Sequence, residues 1–138
     1  MIALTRRYEF PAAHILVHPS FSEEENRRVY GKCANPNGHG HDYGVEVTVS
    51  GPVDAVSGRI IEPGVLDAIF DERVHSRFAH RTLNDDRAFR DRVPTAENIA
   101  RVIHEELAPA IASSSTARLV RVRIVETRKN SFVYGAMA

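Results

Sequence analysis

The chain has 138 residues, enough for one domain that buries its own core, and its hydrophobic fraction of 43% is ordinary for a globular protein. Its 18 lysines and arginines balance 18 aspartates and glutamates, which excludes a bulk-charge attraction to nucleic acid or to an anionic membrane surface. The single cysteine, Cys33, excludes an internal disulfide, and the opening MIALTRRYEF has no long apolar run, so the expected setting is the cytoplasm.

Ile2, Leu4, Arg6, Tyr8 and Phe10 share one face of an alternating segment, which predicts a strand running into PAAH with His14 just past its end. Residues 18–32 are polar and predict a loop or a short helix. Val45, Val47 and Val49 then alternate with Glu46, Thr48 and Ser50, the pattern of a half-buried strand. GPVDAVSG reads as a hairpin connection to a further strand at RIIE, residues 59–62, completing a meander. From Pro63 to Phe78, Val65, Leu66, Ile69, Phe70, Val74 and Phe78 keep helical spacing, with Pro63 suited to a first turn. A second helix starts near Thr95 as N-cap, buries Ile99, Val102, Ile103 and Leu107, and is disturbed at Pro109. Residues 118–127 return to period two, and TRKN turns the chain into a last strand, SFVYGA. This order predicts one α+β domain over residues 1–138, an antiparallel sheet with two helices on one face.

Alternation also sends His39 and His41 to one face with Gly40 between them, so the segment GKCANPNGHGHDYGV leads into its strand with half a metal site. His14, on the adjacent strand, is the candidate third ligand. Zinc takes nitrogen ligands tetrahedrally, and a catalytic site keeps three protein ligands and one open position. His18, His75 and His104 are assigned to surface or helix packing. Cys33 has two readings. A lone cysteine is ordinarily a small buried hydrophobe. Near a cation, however, its thiolate is favoured over the free pKa of ~8.5 and can act as base or nucleophile. Glu126 shares a period-two face with Val120, Val122 and Ile124. It is either solvated at the strand end or a buried carboxylate in need of paired N–H donors, which the guanidine-like edge of a pterin offers.

FPAAH, GKCANPNGHGHDYGVEV, AHRTLN, PTAEN and VETRKNSFVYG fall in the order, and near the spacing, found in the 6-pyruvoyl-tetrahydropterin synthases, and the chain resembles that family over nearly its whole length. The resemblance implies a T-fold, or tunnelling fold, assembled as a homohexamer of two trimeric rings with active sites at subunit contacts. It implies Zn2+ held by His14, His39 and His41, with Cys33 as catalytic base and His80 as the histidine of a proton relay. It also implies that Thr95, Glu97 and Glu126 hold the pterin. The implied substrate is 7,8-dihydroneopterin triphosphate. Zinc polarises the side-chain oxygens, a thiolate removes a carbon-bound proton, triphosphate leaves, and proton shifts reduce the ring as the side chain becomes a pyruvoyl group. Arg27, Arg28 and Lys32 are local candidates for the triphosphate.

Two positions depart from the family pattern. Ala79 stands where an aspartate usually precedes the relay histidine, which leaves Asp85 or Asp86 as the nearby carboxylates able to orient His80. The strand expected after the hairpin ends in EPG, residues 62–64, where relatives usually carry an aspartate. A related branch, the 6-carboxy-tetrahydropterin synthases of queuosine biosynthesis, uses the same starting material. Its spacing from cysteine to HGH is shorter than the five residues between Cys33 and His39. A rival of another class is a noncatalytic zinc module in which Cys33 is the fourth ligand.

Overall fold

In the computed structural model, which describes residues 1–137, strands β1 (Ile2–His14) and β2 (His39–Gly51) pair antiparallel along their full length, from Ile2 opposite Gly51 to His14 opposite His39. His14 is therefore the last residue of β1 rather than a residue beyond it. β4 (Arg118–Val125) joins the far side of β2, and β5 (Ser131–Gly135) joins β4, both antiparallel. A short β3 (Arg81–Thr82) lies parallel to Ala12 and Ala13, giving the order β3-β1-β2-β4-β5. Pro11 is accommodated because its carbonyl faces the β3 side, where it accepts from His80 N at 2.7 Å. Its missing N–H would lie on that same side, before β3 begins, so no ladder bond is lost.

One face of this sheet is apolar. Phe10, Tyr43, Val45, Val47, Val49, Val122 and Ile124 are each no more than 1% exposed. They are covered by Leu66, Ile69 and Phe70 of α2 (Pro63–Phe70) and by Ile99, Ile103, Leu107 and Ile111 of α4 (Ala96–Ser114). The expected helix over 63–78 is present with an irregularity: α2 passes through a π-helical turn, Asp71–His75, into α3 (Ser76–Phe78). The α+β sheet with helices on one face is as predicted. A third helical segment, α1 (Glu23–Tyr30), is capped by Ser22, whose hydroxyl accepts from Glu25 N at 3.1 Å.

Three expectations need correction. No strand forms at RIIE. Asp54 Oδ1 accepts from Val56 N and Ser57 N at 2.9 and 2.8 Å, closing a turn, and the adjacent Ile60 and Ile61 are both buried. Two consecutive inward side chains cannot belong to a half-buried strand, whose residues alternate faces. Pro109, expected to disturb its helix, leaves it unbroken to Ser114. Pro109 is exposed, so the carbonyl it frees meets water, while Leu107 and Ile111 on either side are buried and hold the helix to the core. Finally, the β2–β4 register slips between Thr48 and Val49, so Leu119 rather than Val120 pairs there and packs against the core. The bulge breaks the face that alternation predicted for β4.

Candidate metal centre

The register that places His14 opposite His39 and Ala12 opposite His41 puts three imidazoles at one end of the apolar sheet face. Their ring centroids lie 4.4 Å (His14 and His39), 5.1 Å (His14 and His41) and 5.0 Å (His39 and His41) apart. One ring nitrogen from each falls within 4.8 Å of the others, and Cys33 Sγ is not part of that group. The three rings converge.

His14 is the buried member, 1% exposed. Its Nδ1 donates to the Pro94 carbonyl at 2.8 Å, which leaves the Nε2 lone pair directed at His39 Nε2, also 2.8 Å away. A metal-ligating histidine is commonly fixed in this way, one nitrogen donating outward and the other presented to the ion. Burial pushes the His14 pKa down to about 4, with the charges of His39 and His41 adding to the effect and the Pro94 hydrogen bond opposing it. Burial, then His41, lowers His39 as well. Neutral imidazoles with lone pairs turned inward are the form a divalent ion needs. The residues fit a metal of zinc type.

Beneath the rings lies Tyr43, fully buried, with Oη 3.1 Å from His14 Nδ1. Its hydroxyl pKa is pushed well above the phenol range by burial, with the charges of Glu126 and Cys33 raising it further. Cys33 is half-buried in a 3-10 turn, Gly31–Ala34, and its carbonyl accepts from Leu16 N at 2.8 Å. Glu126 sits just past the end of β4. Burial raises its pKa, His41 opposes the rise and Glu97 adds to it. Glu97 is exposed in the first turn of α4, and Thr95 caps that helix with Oγ1 accepting from Asn98 N at 3.3 Å. The segment that leads into α4 therefore brings the Pro94 carbonyl to His14.

His80 lies at the surface, just before β3. It is exposed and holds φ +61°, a left-handed conformation that costs a non-glycine residue on the order of 1 kcal/mol or more and is held here by the bond to Pro11. It shares a cleft of about 420 Å³ with His41, Asp42, Arg81 and Thr82, but not with Cys33. Of the carboxylates considered as its partner, Asp86 is already engaged by Arg77 Nη2 at 2.6 Å and by Ala88 N at 2.9 Å. A hollow of about 720 Å³ opens on the opposite sheet face and takes in Glu126 but none of the three histidines. Size alone does not locate the chemistry. Arg27 and Lys32 line a cleft of about 380 Å³ beside α1, where Arg27 is 3.2 Å from Glu23, and Arg28 is exposed. The three remaining histidines have neighbours of their own: His18 stacks on Phe21, His75 faces Asp71, and His104 packs on Tyr134.

Sequence reasoning did not single out Pro94 or Tyr43 as parts of the centre. Pro94 acts through a backbone carbonyl, which leaves no residue-type signal. Tyr43 continues the His39, His41 alternation by one step, and that periodicity could have found it.

Comparison with known proteins agrees with this geometry. A sequence model of the family described as 6-pyruvoyl tetrahydropterin synthase matches residues 3–136. The 6-pyruvoyl tetrahydrobiopterin synthase of Poecilia reticulata is 42% identical, over 95% of this chain and 88% of its own. The structure of Caenorhabditis elegans 6-pyruvoyl tetrahydropterin synthase superposes with a TM-score of 0.89 at 36% identity, covering 98% of this chain and 95% of that one. The 6-carboxy-5,6,7,8-tetrahydropterin synthase of Rickettsia conorii is more distant, 27% identical over 96% of this chain and 99% of its own. The chain belongs to the 6-pyruvoyl tetrahydropterin synthase family.

Proposed function

We propose that the protein is a zinc-dependent carbon–oxygen lyase that converts 7,8-dihydroneopterin triphosphate to 6-pyruvoyl-tetrahydropterin with release of triphosphate. The observation that carries this reading is the His14 ring, with Nδ1 committed to Pro94 and Nε2 turned toward His39. Bound zinc supplies a Lewis acid for the oxygens of the substrate side chain and stabilises the charge that develops there. With Cys33 outside the ligand group, three protein ligands leave a position open for substrate.

Cys33 then serves as the base, its thiolate removing a carbon-bound proton, and His80 passes protons onward. Glu126, together with Glu97, accepts the paired N–H groups of the pterin. A half-buried carboxylate with a raised pKa and a like charge nearby is suited to such a donor pair. Thr95 fixes the start of α4 and so the place of Glu97. The reaction is balanced internally: the ring gains the hydrogens that the side chain loses, so no external oxidant or reductant takes part. Arg27, Arg28 and Lys32 are available to the triphosphate.

The family resemblance further suggests a homohexamer of two trimers in the cytoplasm. Two features support subunit contacts at the site. His80 and Cys33 do not share a cleft within one chain, and among the described residues the edge of β1 facing away from β2, from Ile2 to Pro11, and the outer edge of β5 have no strand partner. No helix of the described residues is long and apolar enough to cross a membrane.

Incubation of the zinc-loaded protein with 7,8-dihydroneopterin triphosphate, followed by mass identification of products, tests the reading. 6-Pyruvoyl-tetrahydropterin and free triphosphate are expected. A 6-carboxy product would assign the related branch, and full zinc occupancy with no turnover would indicate the noncatalytic module.

A further inference from the structure

The side chain of Asn84 makes a pair of contacts that the reaction does not use. Its Oδ1 accepts from Ile15 N at 2.8 Å, and its Nδ2 donates to Ile15 O at 2.8 Å. This is the bonding of a peptide group in a sheet, made by an amide side chain. β3 ends at Thr82, after pairing with Ala12 and Ala13, and the 3-10 turn Leu83–Asp85 brings Asn84 back against Ile15, the residue that follows β1. Asn84 extends the ladder past the point where backbone pairing stops.

Ile15 follows His14 directly, and three pieces of the site meet around it. The next residue, Leu16, donates its N–H to the carbonyl of Cys33 at 2.8 Å. The Ile15 side chain lies against Gly38, where an added Cβ would come within 3.3 Å of Ile15 Cγ1 and 3.5 Å of the His14 carbonyl. Gly38 holds φ +71° and immediately precedes His39. The loop from Cys33 to Gly38, with the thiol at one end and a metal ligand after the other, thus rests on Ile15 and Leu16. On the opposite side, the segment that includes Asn84 begins with His80, tied to Pro11.

We infer that Asn84 is a positioning residue that locks the exit of β1, and through it sets the thiol loop of Cys33 against the His14 and His39 ligands. The inference rests on the metal-centre reading above, in which Cys33 works beside the ion without ligating it. Nothing else among the described side chains bonds both the N–H and the C=O of Ile15. Without Asn84 the chain leaves β1 with both groups unpaired, and the loop loses its floor. Asn84 touches no reacting atom, so its effect reaches the chemistry only through geometry. Groups that orient ligands in this way typically change metal affinity or activity by 10- to 100-fold when removed.

The experiment compares Asn84→Ala and Asn84→Asp with the unaltered protein. Zinc affinity is measured by chelator competition, and Cys33 alkylation by iodoacetamide is measured in metal-free protein at a temperature where each variant is folded. Asn84→Ala removes both bonds and is expected to weaken zinc binding about tenfold and to speed Cys33 alkylation several-fold. Asn84→Asp keeps the acceptor for Ile15 N and loses the donor, so it should fall between the two and guards against a failure of the alanine variant to fold. Neither readout requires turnover. If the unaltered protein binds no zinc, the metal-centre reading fails. If it binds zinc and whichever variants fold match it in both affinity and alkylation rate, showing only a lower Tm, Asn84 is merely a stabilising residue and the inference is overturned.

Discussion

Arg77 provides a quantitative check on how the segment that ends in His80 is held. Its guanidinium lies between α3 and α4, with Nη2 at 2.6 Å from Asp86 Oδ1, Nε at 3.3 Å from Asp86 Oδ2 and Nη1 at 2.8 Å from Glu106 Oε1. The Nη1 contact is close enough for an ion pair, but its angle does not qualify as a hydrogen bond. The side chains of Arg77, Asp86 and Glu106 are only 15%, 14% and 25% exposed. Arg77→Met keeps the aliphatic stem and strands two poorly solvated carboxylates. Breaking one side of a buried pair costs 3–5 kcal/mol, and the residual solvent access of Glu106 argues for about 3 kcal/mol. For a chain of this length that corresponds to a fall in Tm of about 10 °C. The deficit should depend on pH. Burial pushes the Asp86 carboxyl up, but the bonds from Arg77 and the Ala88 N–H outweigh it, so its pKa lies below the ordinary value. Stability from the pair is therefore fully present above the unfolded carboxylate pKa of ~3.9 and is lost as pH falls through the lower folded pKa. Thermal unfolding followed by circular dichroism from pH 7 to pH 3 should show the gap between variant and parent shrinking below about pH 4. A gap under about 3 °C at pH 7, or one that widens in acid, would refute the reasoning.

Cys33→Ala should retain zinc and lose turnover. Loss of the metal with the thiol, read by elemental analysis, would make Cys33 a ligand. Glu126→Gln replaces one acceptor oxygen with a donor, and calorimetry should show pterin binding at least tenfold weaker with zinc content unchanged, the loss of a charge-assisted bond of roughly 1.5–3 kcal/mol. Gly135→Ala should destabilise the β4–β5 pair by on the order of 1–3 kcal/mol, because Gly135 holds φ +113° and a Cβ there would sit 2.5 Å from the Val120 carbonyl. Denaturant titration reads that change, and a neutral result would contradict the close approach.

The parts of the fold governed by strict local periods were legible in the sequence. β1, β2 and β5, and the helix that Thr95 caps, all follow from alternation, helical spacing and capping chemistry. Ile60 and Ile61 were misread because an apolar run looks the same whether it pairs as a strand or anchors a loop in the core. β3 escaped because parallel pairing of two residues has no periodicity to detect. The bulge opposite Thr48 and Val49 depends on cross-strand register, which a single strand does not encode. At the site, the histidines were legible because residue type and spacing both signal ligation. Pro94 was not, since its contribution is a carbonyl, and Asn84 was not, since an asparagine in a turn has many ordinary uses.

The most direct test of the central claim is an anomalous difference map at the zinc edge, from crystals grown with equimolar zinc. One strong peak per chain is predicted, about 2.0–2.1 Å from a ring nitrogen of each of His14, His39 and His41, with Cys33 Sγ outside bonding distance. A peak about 2.3 Å from Cys33 Sγ, or no peak among the three rings, would contradict the account.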